Sequence, residues 1–296
     1  MPLENFIIGV FCWVEVAFQE LTGERRLRSR GCAPKLSDSE VITMELVGEF
    51  LGIDTDQGIW EYFRWHWHEW FPGLGSRASF AKQAANLWLI KQLLHRRLAG
   101  ELGALSDTIH MVDGFPIPVC LFQRAKQSQV FKGEAKYGYC AAKDQIYYGF
   151  RGHVVINFNG VISGLTVTSA CGEEREALWE LIDPLRGLLL GDKGYLSVVL
   201  KQALAQHGLE LETPLRANMK ETRNLHFVQC LKSTRRRVET VIGQLTERFH
   251  LEKVWARDLW HLTNRVIRKI LAHTIGIYFN RLLGREDLQF SNLIQA

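Results

Sequence analysis

The sequence predicts an α/β protein in which a mixed sheet flanked by helices follows an all-helical first third. Three observations predict it. Up to about residue 105, apolar side chains recur at helical spacing. Near residue 106 the pattern changes to short β-branched and aromatic runs, two of them joined by Asn159-Gly160, a pair that marks a tight hairpin. Beyond residue 174, helical segments and short apolar runs alternate, the layout that lays helices against a sheet.

The first segment, Phe6 to Phe18, is apolar but contains Glu15 and lacks a basic leader, so it reads as a buried helix rather than an export signal. Nothing in the chain reads as a transmembrane span. Ser37-x-x-Glu40 is a capping box that opens a helix over Val41–Leu51. A second helix runs from about Asp56 to His68 and carries Trp60, Trp65, Trp67 and, just beyond it, Trp70. Packing between helices is the expected role of these rings, ahead of stacking on unpaired bases. A third helix covers Ser79–Leu98, with Lys91, Arg96 and Arg97 among its charges.

Ile109–Val119 then reads as a strand, and Tyr147–Phe158 with Val161–Thr168 as the hairpin. In its first arm Phe150, Val154, Ile156 and Phe158 share one face, and Arg151, His153 and Asn157 the other. A helix over Glu174–Ile182, a buried strand over Leu188–Gly191, a helix over Ser197–His207 and a strand over Glu210–Pro214 follow. Arg216–Gln229 reads as a mobile loop, and Ser233–His250 and Leu259–Leu283 as closing helices. Three strands in an antiparallel meander, then alternating helices and strands, is the element order of a ribonuclease-H-like core. The expected domains are residues 1–105, all-helical, residues 106–285, catalytic, and a tail, 286–296.

Over 296 residues the net charge is only +4, but it is uneven. Arg216 to Arg285 holds 15 Lys/Arg against 5 Asp/Glu, a net +10, which leaves −6 for the rest. Such a segment either handles a polyanion or carries a solvated basic helix face. Within the acidic remainder, Arg25, Arg26, Arg28, Arg30 and Lys35, or Arg96 and Arg97, are the local clusters able to grip DNA. The six Cys form no C-x-x-C pair and read as buried, reduced thiols. A cytoplasmic protein is the expectation.

Three acids stand out. Asp113 lies inside a strand, where Asp is disfavoured. Asp192 ends the apolar run Leu188–Gly191 and precedes Lys193-Gly194. Ligands gather at strand ends of this kind, although an Asp also serves there as a turn residue. Glu239 borders the helical stripe Val238, Val241, Ile242, Leu245 and Phe249. A carboxylate there needs a partner, either Arg235 one turn earlier or a shared divalent cation. Glu247 is its nearest rival. Carboxylates without His or Cys suit Mg²⁺, and two such ions roughly 4 Å apart can drive in-line phosphodiester displacement. Lys193 is placed to meet a phosphate or solvent. Of the run Arg235-Arg236-Arg237, the first two are expected to face DNA and Arg237 to be solvated.

Asp113-Gly114, Gly191-Asp192-Lys193-Gly194-Tyr195 and Arg235-x-x-x-Glu239 resemble the signature blocks of DDE transposases from bacterial insertion sequences. Phe131-Lys-Gly-x-Ala-Lys-Tyr-Gly-Tyr139, Ala142-Lys143 and Tyr147-Tyr-Gly-Phe-Arg-Gly-His153 resemble the insertion-sequence family numbered nine-eight-two. The resemblance runs from about Leu36 to Leu283. It implies a ribonuclease-H-like core whose Asp113, Asp192 and Glu239 hold catalytic Mg²⁺, with Mn²⁺ able to substitute. It further implies contacts of Lys143, Arg151, Lys193, Arg235 and Arg236 with double-stranded DNA, both transposon ends and target, and a homodimer that pairs two ends. No membrane enters this reading. The chain departs from related groups at Lys232, where they have Tyr, and at Thr246, where they have Lys; Arg248 is the expected replacement for that Lys. A transposase-derived DNA-binding protein without catalysis is the alternative. A tyrosine recombinase using Tyr278, His261, Arg265 and Arg268 fits poorly, because His261-x-x-x-Arg265 has the wrong spacing.

Overall fold

The computed structural model describes every residue except 24, 26, 29–32, 141, 142 and 296. Arg26, Arg30, Cys32 and Ala142 of the sequence reading therefore lie outside the described residues. The chain forms two compact units, Met1–Leu98 with Glu247–Ala296, and Ala99–Thr246.

The first five helices are α1 (Leu3–Thr22), α2 (Asp38–Phe50), α3 (Asp56–His66), α4 (Arg77–Asn86) and α5 (Trp88–Glu101). The capping box forms: Ser37 Oγ accepts the Glu40 N–H at 3.1 Å, and Glu40 accepts the Ser37 N–H at 2.6 Å. Thr55 caps α3 through the Gly58 N–H at 3.0 Å, and Ser76 caps α4 through the Ser79 N–H at 3.2 Å. The single helix expected over Ser79–Leu98 is two, because Leu87 leaves helical geometry. Contrary to expectation, α1 is long and apolar enough to cross a membrane, by length and composition alone. One face of it, Phe6, Ile7, Val10, Val14 and Ala17, is nevertheless buried, with Phe6 against Phe50 of α2.

The α/β unit contains β1 (Ile109–Leu121), α6 (Phe122–Ala125), β2 (Lys136–Cys140), β3 (Gln145–Asn157), β4 (Ile162–Ser169), α7 (Glu174–Ile182), β5 (Gly187–Leu190), α8 (Val198–Gln206), β6 (Leu209–Glu212) and α9 (Leu225–Gly243). β3 pairs antiparallel with β1 along one edge, and with β2 and then β4 along the other. β1, β5 and β6 run parallel. The order β4-β3-β1-β5-β6, with β2 also on β3, makes the mixed sheet that the sequence reading expected, and β2 is a strand that it did not anticipate. Asn157 closes the hairpin turn, its Oδ1 accepting the N–H groups of Asn159 and Val161 at 3.1 and 2.9 Å. Gly187 enters β5 at φ +100°, where a Cβ would stand 2.3 Å from Thr108 O; only glycine fits. β5 pairs only Ile109–Met111 of β1, and the open edge beyond tolerates Pro116 and Pro118. Val112, Val155, Leu178, Leu189, Leu204 and Leu211 form the core.

One sequence expectation fails here. The loop Arg216–Gln229 contains the first turn of α9, which starts at Leu225 with Asn224 as its cap. Arg223 is tied to Glu212 at 2.6 Å and to Glu221 at 2.8 Å. On the polar face of β3, His153 and Asn157 are buried, with His153 Nε2 2.9 Å from Thr168 Oγ1.

The last helix, α10 (Leu259–Leu282), was expected in the catalytic domain but packs on α2 and α4 in the helical unit. The expected tail folds too: Phe290 is buried against Phe50, Phe249 and His273. Ion pairs explain why α10 belongs there. Arg268 bonds Glu49, Asp56 at 2.5 Å and the Asp54 carbonyl at 2.7 Å. Lys269 meets Glu49 at 2.7 Å, and Arg265 meets Asp56 at 2.7 Å. Lys91, one of the charges read on the third predicted helix, is buried between Glu45 and Asn264. Three of the 15 bases of residues 216–285, Arg265, Arg268 and Lys269, are therefore neutralised within the helical unit. Arg265 and Arg268 are likewise committed, which removes two members of the recombinase set.

Candidate active site

The parallel pairing of β1 with β5 sets the site. Its last pair is Met111 opposite Leu190, so Asp113 and Asp192 each lie two residues beyond it, Asp113 in β1 and Asp192 just past the end of β5. Asp113 remains in β1, opposite Val154 of β3. Asp192 starts a single 3₁₀ turn, Lys193–Tyr195, closed by the Tyr195 N–H on Asp192 O at 2.9 Å. Tyr195 anchors the turn: it is buried, and a Cβ on Gly191 would lie 3.1 Å from it. Burial first, then the nearby Glu174 and Asp113 charges, push its phenol well above the usual range. α9 packs against β1 and carries Arg235 and, one turn later, Glu239.

The three carboxylates converge on one guanidinium. Arg235 Nη1 lies 3.3 Å from Asp192 Oδ1, and Nη2 lies 3.4 Å from Asp113 Oδ2 and 3.8 Å from Glu239 Oε1. Asp113 Oδ1 also accepts the Gly114 N–H at 2.8 Å. Burial raises the Asp113 carboxyl pKa; the Gly114 N–H and Arg235 oppose the rise, and Asp192 adds to it. Exposure grows from Asp113, 21%, through Asp192, 47%, to Glu239, 58%, so the cluster opens to solvent on the helix side. Glu239 is thus more open than a border position implied.

Among the described residues, no three His, Cys, Asp or Glu side chains stand close enough to chelate one ion. The acids instead surround a cation supplied by the chain. Three carboxylates are the hard oxygen donors that Mg²⁺ and Mn²⁺ take, and Arg235 stands in for the positive charge they attract. The donor types suit a divalent ion, with Arg235 at their centre in this structure.

The expected DNA contacts divide. Lys143, Lys193 and Arg236 are exposed. Arg235 is held by the acids, and Arg151 by Glu174 at 2.6 Å, so neither presents a free charge. Arg237, expected in solvent, lies 5.0 Å over the Phe158 ring. Arg248, expected to replace a missing Lys, stacks over Phe50 at 5.6 Å in the helical unit. Glu247, the rival of Glu239, lies beyond the end of α9 in the π-helical turn Gln244–Arg248 and belongs to that unit as well. Of the tryptophans, Trp65 is 78% exposed and Trp70 43%, so these two do not pack between helices; Trp60 is tethered through its N–H to Gly75 O at 2.9 Å. The cysteines described are free but none is buried.

Sequence reasoning missed Glu174. In α7 it opens the helix, where an acid reads as a partner of the helix dipole. In the fold it lies beside both Gly114 and Gly194, the glycines that follow the two aspartates. Only strand pairing brings those positions together.

A family model described as "Transposase DDE domain" matches residues 103–259. No curated protein matches the chain. Among solved structures the chain is similar to the cryo-EM structure of the piggyBac transposase synaptic complex with hairpin DNA, at 11% identity and TM-score 0.48, over 99% of this chain and 79% of that one. A likeness of that strength adds nothing to the family assignment. The family match spans more than half of the chain, from before β1 to the start of α10, and takes in all three converging acids: the protein belongs to the transposase DDE-domain family.

Proposed function

We propose that this chain is the transposase of a bacterial insertion sequence of the family numbered nine-eight-two. In this reading it acts in the cytoplasm on nucleoid DNA. It binds transposon ends as a homodimer, hydrolyses their phosphodiesters and joins the freed 3′-OH ends to target DNA. The observation that carries the reading is the convergence of Asp113, Asp192 and Glu239, from β1, the end of β5 and α9, on one positive charge.

Asp113, Asp192 and Glu239 would hold Mg²⁺, or Mn²⁺ in its place. When bound, a pair of such ions supplies an activated nucleophile and charge stabilisation for the leaving 3′-oxygen. The residues of the chain do the rest. The strand frame holds the two aspartates level. Arg235 screens the three carboxylates from one another in this structure, and would be released to meet a phosphate if they held a metal. Lys193, next to Asp192, and the exposed Arg236 and Lys143 offer charge to the DNA backbone. Arg151 acts indirectly, through Glu174.

The test is cleavage of supercoiled donor DNA carrying the element's own ends, with Mg²⁺, by wild type and Asp192→Asn. Loss of a metal ligand should lower cleavage on the order of 100-fold or more. Equal cutting by both would show that the triad is misassigned. End binding by wild type without metal-dependent cleavage would favour a DNA-binding protein without catalysis.

A further inference from the structure

We infer that the first turn of α7, Glu174 with Arg175, is a positioning element that sets Asp113 and Asp192 relative to each other. The inference rests on the metal-holding role proposed for those aspartates.

Arg175 grips the turn that carries Asp192. Its Nε donates to Gly194 O at 3.1 Å and its Nη2 to Leu196 O at 3.2 Å. Both acceptors are backbone carbonyls, so the contact fixes the path of the chain just after Asp192 and not merely a side chain. Glu174 reaches the other way as well. Its Oε2 lies 2.5 Å from where a Cβ on Gly194 would stand, and its Oε1 3.6 Å from where one on Gly114 would stand. One carboxylate therefore fills the gap between the residue after Asp113 and the residue two beyond Asp192. Arg151, from β3, holds that carboxylate at 2.6 Å, which ties the brace to the antiparallel half of the sheet. Gly194 is not in the left-handed region, so what it supplies is room for Glu174.

Outer partners of this kind orient metal ligands, and their loss typically costs about 10–100-fold in metal affinity. Glu174 and Arg175 touch the backbone next to the ligands rather than the reacting atoms. Their effect is expected on metal affinity, with the fold intact.

The test is titration of Mn²⁺ into the full chain without DNA, followed by electron paramagnetic resonance, with the melting temperature recorded for each variant. Wild type should bind and Asp192→Asn should not. Arg175→Ala and Glu174→Gln should each weaken binding about tenfold or more, and Arg175→Lys, able to reach one carbonyl, should recover part of the loss. Gly194→Ala should mimic Glu174→Gln, because the added methyl displaces the Glu174 carboxylate. Unchanged affinity in Arg175→Ala and Glu174→Gln would overturn the inference while leaving the triad intact. So would a loss that follows only a falling melting temperature and is absent in Gly194→Ala, since α7 would then be a plain structural staple. Failure of wild type itself to bind Mn²⁺ would remove the metal reading, and this inference with it.

Discussion

Each unit holds a cluster of acids and bases, and the two are built on different terms. In the helical unit Glu45, Glu49, Asp54 and Asp56 face Lys91, Arg265, Arg268 and Lys269, one base for each acid. Glu45, Lys91, Arg268 and Lys269 have no exposed surface. In the α/β unit three acids share Arg235, at 3.3–3.8 Å, and two of them are about half exposed. The first cluster is balanced, with most pairs at 2.7 Å or closer and all but Asp54 and Arg265 fully or nearly buried; such a group fixes how its elements pack, because any misfit leaves a charge buried alone. The second is under-compensated, loose and open, so it keeps an unmet demand for positive charge. Residue type alone does not separate an ion-pair core from the site proposed to hold metal. Balance, distance and access to solvent do.

The sharpest way to break this contrast is to remove one base from the balanced cluster. Arg268→Ala leaves Glu49 and Asp56 buried without their shared partner, and should destabilise the protein by about 3–5 kcal/mol. Urea unfolding would measure it, and a cost under about 1 kcal/mol would mean the network is surface-like after all. A smaller effect follows from Asp56. Burial alone would raise its carboxyl pKa, but Arg268 and Arg265 hold it down at about 2 against an ordinary value of 3.8. Its contribution is therefore complete above pH 3.8 and is lost as the pH falls through about 2. Asp56→Asn should cost about 2 kcal/mol at pH 7, and the gap from wild type should close between pH 4 and pH 2. A gap of the same size at pH 2 would rule out charge as its origin.

The order of strands and helices was largely legible in the sequence, because hairpin chemistry at Asn159-Gly160 and apolar runs such as Leu188–Leu190 act locally. Strand β2 was hidden, since Lys136–Cys140 mixes charge, glycine and tyrosine and is held by pairing to β3 rather than by its own pattern. Domain boundaries failed for a physical reason: α10 is bound to the N-terminal helices through ion pairs that link positions more than 200 residues apart. At the site, Asp113, Asp192 and Glu239 could be picked out by their odd local settings. The occupation of their centre by Arg235 could not, although its pairing with Glu239 alone was in view. Glu174 was invisible for the same reason, since its meaning depends on where two distant glycines come together.

Arg235→Ala tests the open cluster directly, and its expected effect is the smallest and the most telling. Without metal, the change leaves three carboxylates facing one another, Asp113 partly buried among them, and should cost about 1 kcal/mol, since the lost pairs are long and half in water. With metal the comparison should reverse. A ligand that binds only the folded state stabilises it by an amount that grows as its dissociation constant falls. Arg235 and a divalent ion compete for the same oxygens, so removing the guanidinium should tighten Mn²⁺ binding and enlarge the metal-induced rise in melting temperature. Added Mn²⁺ should then stabilise Arg235→Ala more than it stabilises wild type, by about 1.4 kcal/mol for a tenfold gain in affinity. A smaller rise in the variant would mean that Arg235 holds the acids in place for the ion rather than standing where it belongs, and the contrast between a filled and a waiting cluster would have to be withdrawn.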